Sequence, residues 1–188
     1  MSENLTIEVT RTYLEMNARA EFNPAFAATT TARIEQAHNC PASFYRYLYA
    51  EVGRYFHWVD RLSWSEAEIY EHLRQPGLTL WVMYYEGAPA GYFELIADAD
   101  GSTEIAYFGL LPEYIGKGLG KHLLSVTIDA AWKTGARRVW LHTCSLDGAA
   151  ALPNYLKRGF QAFKQETYFT TMSPEEAERG RWQKEAIR

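Results

Sequence analysis

The spacing of apolar positions changes period several times along the chain, and each change marks an element. Leu5, Ile7 and Val9 alternate with polar neighbours, with Tyr13 beyond, which predicts a first strand over Leu5–Tyr13. Residues 15–40 hold no sustained period: Asn23-Pro24 and Thr29-Thr30-Thr31 read as loop, with a short helix near Arg33–His38. Pro41 suits the first turn of a helix, and apolar positions then recur at helical spacing to Trp58. Phe44, Leu48, Val52 and Tyr55 form one stripe and Tyr45, Tyr49 and Phe56 a second, so this helix is aromatic on more than one face. Ser65-Glu66-Ala67-Glu68 is a capping box that opens a second helix, which stops before Pro76-Gly77. Leu78–Tyr85 and Pro89–Ile96 read as strands separated by Glu86-Gly87, and Asp100-Gly101 is a hairpin signal leading into a strand over Glu104–Leu111.

After Pro112 come Gly116, Gly118 and Gly120, then Leu123, Leu124, Ile128 and Ala131 at helical spacing up to Gly135. Arg138–Cys144 forms a strand with Val139, Leu141 and Thr143 on one side. A helix from about Asp147 to Lys157 contains Pro153, so it either starts late or is kinked. Phe160–Thr170 is a final strand, and residues 173–188 form a C-terminal helix, acidic first and basic later. The order is strand, two helices, three antiparallel strands, helix, strand, helix, strand. That order predicts an α/β (α+β mixed) fold: a mixed, mostly antiparallel sheet with helices on both faces.

Composition narrows the function. The 188 residues fit one domain, and 47% hydrophobic residues make it globular. A formal charge of −4 argues against a nucleic-acid binder. Two cysteines, Cys40 and Cys144, are too few for a disulfide framework and fit a reducing compartment. No basic start with an apolar run and no 18-residue apolar stretch occurs, so the expectation is a soluble, cytoplasmic protein with no membrane partner.

The strand, glycine turn and helix over Glu104–Leu124 are a phosphate-binding arrangement. Bare glycine backbone lets an anion approach, the helix N-terminus offers free N–H groups and a positive dipole end, and Lys117 and Lys121 add charge. A P-loop is excluded, because no Ser or Thr follows a Gly-Lys pair. The dinucleotide fingerprint is excluded too, because its third glycine would fall on Lys121.

This stretch resembles motif A of the GNAT superfamily of acetyl-CoA-dependent N-acetyltransferases, in which Arg or Gln precedes Gly-x-Gly by two intervening residues. Gly118 and Gly120 fall on the motif's glycines, and Ile115 stands where Arg or Gln is expected. Arg138–Phe160 resembles motif B, with its terminal Tyr-x-x-x-Gly-Phe. The similarity covers about Leu78–Phe169, and the first 75 residues match in element order only. The resemblance implies a single domain over 1–188, with an acceptor part over 1–77, an acetyl-CoA-binding core over 78–170 and the C-terminal helix. It implies acetyl-CoA as donor, no metal, and a primary amine as acceptor, taken as a small molecule. The protein would act as a monomer or homodimer. A non-catalytic acyl-CoA sensor and a protein lysine or N-terminal acetyltransferase are the alternatives.

The resemblance also implies site residues. The pyrophosphate would meet Gly116, Lys117, Gly118, Leu119, Gly120 and Lys121. The thioester carbonyl would accept from a backbone N–H among Gly109, Leu110 and Leu111. The pantetheine arm would lie where the sheet opens beside the Arg138 strand. Tyr155 would protonate the leaving thiolate, since a phenol titrating near 10 is protonated at neutral pH. Glu104 would be the base acting through water, with Glu94 as its rival. A two-residue turn at Asp100-Gly101 sets Glu94 opposite Tyr107 and Glu104 opposite Ala97, on opposite faces, unless a bulge intervenes. The aromatic helix face, with Trp58 and Trp64, reads as core packing or as the wall of an acceptor pocket. His142 and Cys144 share a strand face and read as structural, and Asp147 reads as a helix cap.

Overall fold

Period and alternation become strands β1 (Leu5–Met16), β2 (Arg33–Gln36), β3 (Leu78–Tyr85), β4 (Ala88–Ala97), β5 (Ser102–Leu110), β6 (Arg138–Cys144) and β7 (Gln161–Met172). The helices are α1 (Ala42–Gly53), α2 (Glu66–Leu73), α3 (Leu119–Lys133), α4 (Ala151–Lys157) and α5 (Pro174–Ala186). This computed structural model describes residues 4–27 and 31–186, so Thr29, Thr30 and the last two residues of the expected C-terminal helix lie outside the described residues. The strands form one sheet in the order β2-β3-β4-β5-β6-β1-β7, antiparallel except between β5 and β6.

Local chemistry accounts for the boundaries. Ser65 caps α2 reciprocally: Glu68 N–H donates to Ser65 Oγ at 3.3 Å, and Ser65 N–H donates to Glu68 Oε2 at 2.7 Å. The helix expected from Asp147 starts late, at Ala151, which makes Pro153 its third residue. The N–H that proline lacks is thus one that has no intrahelical partner anyway. Asp147 does not cap that helix. Its carboxylate accepts from Thr143 Oγ1 at 2.6 Å and Cys144 N–H at 2.8 Å, tying down the turn after β6. The helix expected near Arg33–His38 is instead the edge strand β2, paired with β3 through Ile34 and Met83. Four residues with one apolar side chain carry neither period, and tertiary pairing decides.

Helices cover both sheet faces. Against α3 pack Leu14, Phe93, Leu95, Ile105, Val139 and Leu141. Against α1 and α2 pack Leu80, Val82 and Tyr92, with Tyr45, Leu48, Val52 and Ile69 supplied by the helices. The helix expected to reach Trp58 stops at Gly53, so Tyr55 and Phe56 lie in the turn beyond α1; Tyr45 and Tyr49 are fully buried, while Phe44, Tyr55 and Phe56 are half-buried.

Two register features shape the centre of the sheet. The β4–β5 turn has three residues, closed by Asp98 N–H to Ser102 O at 2.9 Å, so Ile96 faces Glu104. A bulge at Ala106 then restores Glu94 opposite Tyr107. Glu94 does face Tyr107, but Glu104 pairs with Ile96 rather than Ala97 and shares the face of Glu94. The expected opposite orientation of the two glutamates is therefore wrong, because the longer turn and the bulge each shift the count by one. The second feature is the parallel ladder of β5 and β6, which runs only through Ser102–Arg138, Thr103–Val139 and Glu104–Trp140. Beyond Glu104 the two strands separate.

Candidate active site

The separation of β5 and β6 opens a cavity of about 360 Å³ that passes through the sheet. On the α3–α4 side it is lined by Phe108, Leu110, Ile115, Gly120 and Tyr155, and on the α1 side by Tyr49, Trp58, Asp60 and Tyr107. Backbone polarity in this gap follows from pairing. Leu111 N–H donates to Ala90 O of β4 at 2.9 Å. Strand groups alternate, so Gly109 also turns its N–H to β4, while Leu110 directs its N–H away from β4, toward the gap. The expected range Gly109–Leu111 thus narrows to Leu110. Leu111 is buried in the α1–α2 core, and a Cβ on Gly109 would lie 2.4 Å from Val52 Cγ1 of α1.

Gly116 and Gly118 carry φ of +83° and +77°, a region that penalises any side chain. Gly118 is the N-cap of α3, whose first turn has no acidic residue. The first N–H groups of the helix, from Leu119 to Lys121, therefore stand beside Lys117 and Lys121 as an anion-compatible end. Leu119 itself sends its side chain into the core. Ile115 packs against the α3 core and lines the cavity, so no cation occupies that position.

Tyr155 is 8% exposed, with its ring edge-on to Phe108 at 6.2 Å and Phe160 at 6.3 Å. Burial, with Asp147 nearby, pushes its phenol well above the usual value, so it stays a donor across the physiological range.

The two glutamates have opposite electrostatics. Glu94 is fully buried and accepts from Tyr45 Oη at 2.9 Å, from Arg61 Nη1 at 3.0 and 3.1 Å, and from His72 Nε2 at 2.8 Å. Because Nε2 donates to the carboxylate, the 3.0 Å approach of Arg61 to that nitrogen is a contact and not a bond. Burial alone would raise Glu94, but the His72 hydrogen bond and the Arg61 charge hold it below the ordinary carboxylate range. Glu104 is half-buried, and burial and the Asp98 charge raise it against the pull of Arg61.

The signs give opposite stability profiles. The depressed Glu94 contributes stability above the ordinary carboxylate pKa, lost as pH falls through its folded value. Glu104 ionises first in the unfolded chain, so its charge costs stability as pH rises from about 4.3, the usual glutamate value, through its folded value. At pH 7, Glu104→Gln is therefore expected to raise the melting temperature and Glu94→Gln to lower it, with both differences shrinking toward pH 4. A melting curve for each variant at the two pH values checks this, and equal signs at pH 7 would contradict it.

Sequence reasoning missed the buried cluster around Glu94. Arg61 lies in the irregular segment between α1 and α2, with its guanidinium 4.2 Å from the Tyr107 ring centroid and 4.9 Å from that of Trp64. The one available signal was His72, three positions after Ile69 on the apolar face of α2. Trp58 does form a cavity wall, edge-on to Tyr107 at 4.9 Å, whereas Trp64 serves Arg61. Among the described residues no cluster of three His, Cys, Asp or Glu could hold a metal, and no helix is long and apolar enough to cross a membrane.

The family model described as Acetyltransferase (GNAT) family matches residues 38–160, more than half of the chain. The chain belongs to the GNAT acetyltransferase family. This GNAT chain is 34% identical over 98 residues to a protein of Escherichia coli (strain K12) named uncharacterized N-acetyltransferase YjgM. That match covers 50% of this chain and 58% of the relative's length. Among solved structures, a GCN5-related N-acetyltransferase from Sphaerobacter thermophilus superposes with a TM-score of 0.66 at 13% identity, over 92% of this chain and 62% of that one. The ribosomal-protein-S18-alanine N-acetyltransferase of Escherichia coli gives a TM-score of 0.57 at 17% identity, over 76% of this chain and 95% of its own. At such identities the likeness is one of fold, and it covers the mixed sheet of this GNAT chain.

Proposed function

We propose that this GNAT chain moves an acetyl group from acetyl-CoA to the primary amine of a small molecule, by direct attack with both substrates bound. The observation that carries the reading is the gap after Glu104, into which Leu110 directs its N–H and on which Tyr155 lies. These residues fit a thioester arm. The gap is largely apolar and lined from both faces of the sheet, and the turn from Gly116 to Lys121 lies at its α3 end, where the arm's pyrophosphate would stand. Acetyl-CoA supplies an activated carbonyl with a thiolate leaving group.

The chain's residues supply the rest. Leu110 N–H polarises the carbonyl oxygen. Tyr155 donates its proton to the sulfur as the C–S bond breaks and the C–N bond forms. Glu104, on the α1 face of β5 and just outside the cavity lining that begins on this strand at Ile105, takes the amine proton through water, and its raised pKa makes it the better base of the two glutamates. Glu94 is committed to Arg61 and His72 and serves structure. The aromatic wall from Trp58 encloses the acceptor half and supports a small acceptor.

A thermal shift with acetyl-CoA, CoA, ATP and NAD at equal concentrations tests the donor. At a hundred times its dissociation constant a ligand stabilises by about 2.7 kcal/mol. Both CoA species are expected to raise the melting temperature and ATP and NAD to do little. No rise at millimolar acetyl-CoA would overturn the reading, and binding without thiol release against a broad amine panel would make the chain a sensor.

A further inference from the structure

A second cavity, about 420 Å³, adjoins the first. Both are lined by the segment 56–59 and by Leu146, so the two chambers share one wall. Beyond that wall the second chamber is apolar, formed by Leu5, Ile7, Leu62, Met172 and Ala177, which bring together the start of β1, the end of β7, α5 and the segment after α1. We propose, on the basis of the acetyl-transfer reading above, that the acceptor is a singly charged amine whose apolar group lodges in this second chamber.

The charges on the two linings select against other acceptors. In the second chamber, Arg54 is paired with Glu51, the Glu176 carboxylate accepts Ser173 N–H at 2.8 Å, and Arg179 is exposed. In the first, the carboxylates are Asp60 and Asp147, and Asp147 is engaged by Thr143 and Cys144. That leaves the exposed Asp60 to face a substrate ammonium, beside the rings of Tyr49, Trp58 and Tyr107. Asp60 and, through water, Glu104 serve the reacting amino group, whereas a polyamine would carry further charges into the apolar second chamber at a steep desolvation cost. An α-amino acid would need a cation for its own carboxylate. Arg11, which lines the first cavity, keeps its Nε unpartnered, but its terminal nitrogens lie 3.4 Å from Tyr168 Oη and 3.6 Å from Glu166, so a substrate carboxylate would compete with Glu166 for it. Both volumes fall in the range of small-molecule sites. An apolar group that crosses between the chambers along residues 56–59 would gain burial that a short alkylamine cannot.

Steady-state rates with the full chain and saturating acetyl-CoA test this, using ethylamine, hexylamine, 2-phenylethylamine, spermidine, phenylalanine and a short peptide with a free N-terminus. One methylene in an apolar pocket changes kcat/KM by about 10-fold or more. The expected result is therefore a rise of at least about 100-fold from ethylamine to 2-phenylethylamine or hexylamine, with the other three no better than ethylamine. Ala177→Trp and Leu62→Trp, each filling the second chamber from a different element, are expected to bring the ratio of 2-phenylethylamine to ethylamine close to one. A retained acetyl-CoA thermal shift shows that each variant is folded. A flat series, a preference for spermidine, phenylalanine or the peptide, or an unchanged ratio in both folded variants overturns the inference while acetyl transfer stands. Loss of the acetyl-CoA shift in the unaltered chain removes the acetyl-transfer reading itself.

Discussion

Arg61→Met is expected to destabilise the fold by about 3–5 kcal/mol, the usual cost of leaving one member of a buried ion pair alone. Glu94 has no exposed surface and Arg61 is 10% exposed, so water cannot replace the lost partner. Tyr45 and His72 would remain as donors to Glu94. Arg61 also covers the Tyr107 ring and packs on Trp64, contacts a methionine keeps only in part. Urea denaturation read as midpoint and slope measures the loss. The double variant Arg61→Met with Glu94→Gln removes both charges and is expected to recover a large share of it, because the penalty lies in the orphaned charge. Losses that simply add would show that the pair is not energetically coupled.

Tyr155→Phe is expected to lower kcat by about 10²–10⁴-fold, the range for a positioned general acid. The phenylalanine ring keeps the packing on Phe108 and Phe160, so the midpoint of unfolding and KM for acetyl-CoA should change little. Because burial holds the phenol above its ordinary value, wild-type kcat should show no alkaline loss from this group up to pH 10. Rates of thiol release under saturation separate the possibilities. A kcat within threefold of wild type would remove Tyr155 as the acid. A rise in KM for acetyl-CoA at constant kcat would make it a binding residue.

What the chain discloses before folding depends on how local the cause is. β3, α2, β6 and the turn into α3 were legible because caps, prolines, glycines and apolar period act within a few residues. β2 was not, since its four residues are held by β3, 45 or more positions away. The bulge at Ala106 was hidden for a subtler reason. Glu94 meets Tyr107 either with a two-residue turn and no bulge or with the three-residue turn and the bulge together, so the hydrophobic pattern does not distinguish the two, and only Glu104 changes face. At the site, motif spacing led to Tyr155 and to the glycine turn. The choice of Leu110 among three neighbours needed the hydrogen bond of Leu111 to β4. The ring of donors around Glu94 is assembled from α1, α2 and the segment between them, and no local pattern anticipates such a meeting.

The three-residue ladder between β5 and β6 has a mechanical side. It leaves the sheet as two plates joined at one end, β2 to β5 on one side and β6, β1 and β7 on the other. α3, which touches both β5 and β6, is the spine that keeps them from swinging apart. An arm lying in the gap would brace the free ends of both plates at once. Cohesion between the halves would then rise and fall with the supply of donor, and the loaded protein would be the stiffer one.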